Sequence, residues 1–223
     1  MQKRSTSALC LIAGLLLSAC TNVPAPVDAG DPAERVEQIP PAAATGMPVA
    51  AHPLNAVPIP PLQPGIGMLF ERALQLMRQQ QYQAAEELFT ELTVSQPELA
   101  GPWVNLGYIH LARGQTESAR ENFEQALAAN PGNCDAHNQL GVMARRAGRF
   151  AQAEQHYLDC LAGNPGYAAA RLNQGILYEL YMGRLGEALA AYHDYQAALP
   201  TPDNRVDGWV MDLERRVAAI AKR

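Results

Sequence analysis

An all-α solenoid of antiparallel helix hairpins is the fold this chain predicts, on three observations. A 34-residue period runs through residues 66–202, small residues and aromatics keep fixed places in that period, and a proline closes each unit. Pro97, Pro131 and Pro165 are 34 apart, as are Ala85, Ala119 and Ala153, and as are Phe89, Phe123 and Tyr157. Ala73, Gly107, Gly141 and Gly175 keep the same step. Self-similarity at such a period means one supersecondary unit repeated, each burying its apolar face against the next.

The chain opens with a different kind of segment. Lys3 and Arg4 form a basic head, and Ala8 to Leu17 is a nearly unbroken apolar run. That run is about half of the ~20 residues a helix needs to cross a bilayer, and fits the core of a secretory signal. Leu17, Ser18 and Ala19 lead directly into Cys20, and this tetrapeptide resembles the lipobox of bacterial lipoproteins. The resemblance implies a signal peptide over 1–19, lipid (diacylglycerol and a further acyl chain such as palmitate) on Cys20, and a mature chain starting there. A plain export signal with an incidental cysteine is the alternative. Thr21 rather than Asp after the cysteine implies the periplasmic face of the outer membrane. Several acyl chains suffice for stable anchoring where one alone is marginal.

Residues 20–65 read as a linker. Eleven of the seventeen prolines fall between Thr21 and Pro64, with no helical or strand period. Proline fixes φ and removes backbone donors, so the stretch can build neither ladder nor helix. At ~3.1 Å per residue where polyproline-like, it spans on the order of 100 Å.

Four units follow, at 66–99, 100–133, 134–167 and 168–202. Each reads as two short helices. Gly107 and Ala119 allow close backbone approach, Trp103 and Phe123 fill the space beside them, Gly114 and Gly148 supply the turns, and the terminal prolines stop the second helices. Trp103, Leu106, Gly107, Ala119, Phe123, Ala126 and Pro131 resemble the tetratricopeptide repeat. His137 stands where that pattern expects Trp, and the fourth unit carries one extra residue near Tyr181 to Gly183. A last stretch, 203–223, repeats Trp209, Val210, Leu213, Val217 and Ile220 at helical spacing and is expected to cap the stack.

Composition and motifs narrow the function. The formal net charge of -5 becomes -7 once Lys3 and Arg4 are removed, and no basic stripe with aromatics is present, which argues against nucleic acid. No phosphate-binding loop, metalloprotease or nucleophile-elbow motif occurs, so no catalytic residue, cofactor or small-molecule substrate is assigned. His110 is placed at a core offset, and His193 on the last unit's second helix; both read as structural. Glu86 and Glu87 read as a solvated face.

One cluster stays open between three readings. Cys134 and His137 share a face of one predicted helix, and His156 and Cys160 share a face of its partner. A Cys134–Cys160 disulfide, a Cys2His2 zinc site and ordinary packing all fit.

The family resemblance implies a concave groove lined by the first helices. Its offsets fall on Phe70, Leu74 and Met77, on Val104, Tyr108 and Leu111, on Asn138, Val142 and Arg145, and on Leu172, Ile176 and Glu179. The alternative is that many of these pack between repeats. The expected role is a lipid-tethered scaffold that binds a peptide or helix of an envelope protein. In domain plan the chain is similar to pilotin lipoproteins of type IV pili, which escort secretins, and to lipoproteins that recruit peptidoglycan hydrolases. An accessory of a TonB/ExbB/ExbD-type transport complex and an envelope enzyme are the alternatives.

Overall fold

A computed structural model describes residues 65–222. The signal 1–19, Cys20 and the proline-rich stretch through residue 64 lie outside the described residues, as does Arg223. The described residues are helical throughout, without a strand. None of their helices is long and apolar enough to cross a membrane.

Four hairpins follow one another. They are α1 (Ile66–Arg78) with α2 (Tyr82–Ser95), and α3 (Ala100–Ala112) with α4 (Thr116–Ala129). Then come α5 (Cys134–Arg146) with α6 (Phe150–Gly163), and α7 (Ala168–Ile176) with α8 (Leu185–Ala198). A single helix, α9 (Asn204–Ala221), ends the stack.

The small-residue ladder sets the spacing within each hairpin. A Cβ added to Gly107 would lie 2.6 Å from the Phe123 ring, and one on Gly175 would lie 2.5 Å from the Tyr192 ring. Gly141 is held equally hard against Tyr157. No methyl fits there, so glycine lets the aromatic fill the gap between two backbones. In the first hairpin, Ala73 takes this place and is fully buried, as is Phe89.

The turns are built alike. Gly114, Gly148 and Gly183 hold φ of +73°, +73° and +65°, the left-handed region that favours glycine. At the equivalent place of the first hairpin stands Gln80, with φ 58°. The amide after each of these residues reaches back to a carbonyl: Gln81 to Leu76, Gln115 to His110 and Arg149 to Ala144, each at 2.9 Å. The fourth is Arg184 to Tyr178, also 2.9 Å, and it spans one residue more. The extra residue is absorbed as a π-helical turn, Leu177–Met182, that continues α7. One inserted residue is what an i→i+5 ladder accommodates without breaking the helix.

A second repeated contact explains His137. Trp103 Nε1 donates to the Pro97 carbonyl at 3.2 Å, His137 Nε2 to that of Pro131 at 2.9 Å, and Arg171 Nε to that of Pro165 at 3.3 Å. The position asks for a ring or guanidine N–H of the right reach, and three different residue types supply it.

Each hairpin core is completed by the next unit. Leu106 and Ile109 of α3 join Ala73, Leu76, Ala85, Phe89 and Leu92. Ala136 and Leu140 of α5 close the second core, and Ala170 and Leu177 the third. Val206, Trp209 and Leu213 of α9 close the last. Each large aliphatic or Phe side chain so buried contributes about 1.5–3 kcal/mol, which is why a solenoid needs a cap. The Trp209 ring sits 5.8 Å from that of Tyr192. Ile220, expected on the covered stripe, is 60 % exposed, because α9 has 18 residues against the 14 of α8.

Candidate protein-binding face and the Cys–His hairpin

The groove row runs along equivalent places of the four first helices. Phe70, Leu74 and Met77 of α1 are half-buried, as are Leu111 of α3 and Val142 of α5. The other seven are buried, which corrects the sequence reading: Val104, Tyr108, Asn138, Arg145, Leu172, Ile176 and Glu179 pack within the stack. The open part of the row therefore lies on α1, α3 and the middle of α5.

Arg145 is the sharpest departure. It is 2 % exposed, with the Tyr181 ring 5.5 Å from its guanidinium and Asn173 Oδ1 3.4 Å from Nη2. Asn173 in turn donates to Asn138 at 3.0 Å. Nε and Nη1 of Arg145 have no hydrogen-bond partner among the described residues. Burial pushes the Tyr157 hydroxyl up to about 12, and the neighbouring Arg145 charge works against that rise. Asn173 and Tyr181 belong to the following hairpin, so family offsets alone did not reveal that they cover Arg145.

Glu179 is closed off from the other side. Its carboxylate accepts from Tyr192 Oη at 3.0 Å and from Arg216 of α9 at 2.7 Å. The capping helix thus seals the fourth hairpin's part of the row. The π-helical turn adds contacts the sequence reading missed. Tyr178 Oη and Arg184 Nη1 both donate to Glu154 Oε1, at 2.9 and 2.7 Å. The extra residue near Tyr181 was the signal for this local rearrangement.

The remaining candidates fall as follows. His110 is half-buried, not a core residue, with Nδ1 2.8 Å from Gln115 Oε1. His193 is exposed, 3.7 Å from Glu214. Glu87 is exposed, whereas Glu86 is half-buried and accepts from Arg113 at 2.5 Å.

The α5–α6 hairpin carries Cys134, Cys160 and two histidines. Cys134 and Cys160 are joined as a disulfide, their Cα atoms 4.6 Å apart. While bonded to each other the sulfurs cannot ligate zinc, and in this oxidised state no group of three or more His, Cys, Asp or Glu among the described residues is gathered for a metal. One turn along, His137 Nδ1 lies 3.2 Å from His156 Nδ1. Burial, and the repulsion that a protonated His137 exerts, hold His156 below the usual histidine range. His137 Nε2 faces the Pro131 carbonyl and must carry the proton there, so a neutral His137 presents a lone pair at Nδ1. His156 Nδ1 then donates across the gap.

Comparisons with known proteins agree with this architecture. The tetratricopeptide repeat family profile matches residues 70–133 and 104–168. It indicates no catalytic family. A search of the curated proteins finds no match. Among solved structures, PilW, described as a widely conserved type IV pilus biogenesis factor, is 26 % identical with a TM-score of 0.55, over 62 % of this chain and 64 % of that one. MamA is 21 % identical with a TM-score of 0.52, over 60 % and 77 %. A thermophilic TPR protein of Thermus thermophilus is 24 % identical with a TM-score of 0.52, over 71 % and 82 %. The four hairpins have the tetratricopeptide-repeat fold, a protein-interaction scaffold.

Proposed function

We propose that this chain is a lipid-tethered adaptor at the periplasmic face of the outer membrane, holding a helix or peptide of a pilus or secretin assembly protein. The carrying observation is the row of half-buried apolar side chains at Phe70, Leu74, Met77, Leu111 and Val142. Apolar positions at i, i+4 and i+7 suit an amphipathic helix docked through its own spaced anchors. The lipobox ending in Cys20 supports the location, and the 26 % identity with PilW supports the choice of machine. Recruitment of a peptidoglycan hydrolase is the second reading, on the same face.

The test is cross-linked purification of the full-length protein from envelope membranes, with the partners identified by mass. Recovery of a secretin or pilus subunit supports the assignment, whereas recovery of a hydrolase alone moves the chain to the second reading. Cys20→Ser is expected to release the protein from the outer-membrane fraction. If the serine variant stays there as an integral lipoprotein of mature size, the tether is wrong.

A further inference from the structure

We propose that Cys134, His137, His156 and Cys160 form a Cys2His2 site for a tetrahedral divalent metal, zinc above all, when the disulfide is reduced. The disulfide and the metal site are then two alternative states of one hairpin.

Cys134 and His137 are three apart on α5, and His156 and Cys160 four apart on α6. Both steps bring side chains onto one helix face, where two donors can chelate one ion. The antiparallel packing then sets cysteine against cysteine, Cα to Cα 4.6 Å, and histidine against histidine. The two Nδ1 atoms lie 3.2 Å apart. Two ligand atoms about 2.0–2.1 Å from zinc in a tetrahedron are separated by roughly that distance. The Pro131 carbonyl holds His137 Nε2–H, the outer contact that fixes a metal-binding imidazole with its other nitrogen bare. All four side chains are buried or half-buried, so the ion would be largely withdrawn from water.

A dithiol reductant gives two electrons and two protons to the Cys134–Cys160 bond and becomes a disulfide itself. The metal ion then displaces both thiol protons to solution and takes two thiolates. The His156 proton moves from Nδ1 to Nε2, which leaves both Nδ1 lone pairs for the metal. A disulfide oxidant that accepts the two electrons, and with two protons from solution leaves as two thiols, re-forms the Cys134–Cys160 bond and expels the ion.

The test uses the full chain and Co2+ as a spectroscopic stand-in, with zinc competing. After reduction under argon, one equivalent of Co2+ is expected to give the intense visible bands of a tetrahedral thiolate site, and zinc to bleach them. The oxidised protein is expected to give none. His137→Gln with His156→Gln should lose the bands with helicity kept, and so should Cys134→Ser with Cys160→Ser. Only weak octahedral absorption from the reduced wild type overturns the proposal. So do bands that survive the double histidine change. The oxidised and reduced wild types differ by no mutation, so the comparison stands even if a variant fails to fold.

Discussion

The Tyr157 ring lies against Gly141 with no room for a single methyl between them. Gly141→Ala is therefore expected to overpack the third hairpin and cost about 1–3 kcal/mol. Gly163 makes the contrast: it ends α6, is exposed, and has open space where a Cβ would go. Gly163→Ala should be neutral or stabilise by up to about 1 kcal/mol. Urea titrations of both variants check the pair, and equal effects would show that the close contact does not set the spacing.

Gln80 holds a left-handed φ of 58° where the other hairpins have glycine. That conformation costs an L residue about 1–2 kcal/mol. Gln80→Gly should raise stability by up to about 1 kcal/mol, after the glycine's larger unfolded-state entropy is offset. A fall in melting temperature would mean that the Gln80 side chain holds the turn.

Arg216 and Arg215 are neighbours on α9 with different work. Arg216 reaches the buried Glu179, whereas Arg215 pairs with Asp212 three residues away at 3.2 Å and is mostly exposed. Arg216→Ala is expected to cost about 1–2 kcal/mol, since Arg216 is itself partly solvated and Glu179 keeps Tyr192. Arg215→Ala should cost under about 0.5 kcal/mol. Thermal melts that rank them the other way would show that α9 does not seal the row through Glu179.

Reduction of Cys134–Cys160 opens a loop with a sequence separation of 26. The chain-entropy account gives the bond about 3 kcal/mol. Intact mass should rise by two hydrogens on reduction, with a lower urea midpoint in the absence of metal. An unchanged mass for protein purified without reductant would mean the thiols are free.

The repeated elements were legible because the period exposes them: glycine opposite an aromatic, a left-handed turn and a proline stop recur at one step. His137 departs from the repeat pattern in residue type alone. The structure keeps the function of the position, an N–H aimed at the Pro131 carbonyl. The face was only partly legible. Offsets placed Tyr108 and Arg145 on it, yet both are buried, and Arg145 lies beneath Tyr181 and Asn173 of the next hairpin. Single-unit patterns do not say how much of one unit the next one covers. The π-helical turn was visible only as a surplus residue, since one inserted residue can bulge as a loop or lengthen a ladder.

Docking of partners on the first-helix row is tested most directly by site-specific photo-cross-linking in cells, with the probe placed in the full-length chain. Probes at Leu111 and Val142 are expected to give one discrete adduct with an envelope protein. A probe at the exposed Glu121 on α4 should give none. An adduct from Glu121 with silence at Leu111 and Val142 would contradict the account and move the binding surface to the second helices.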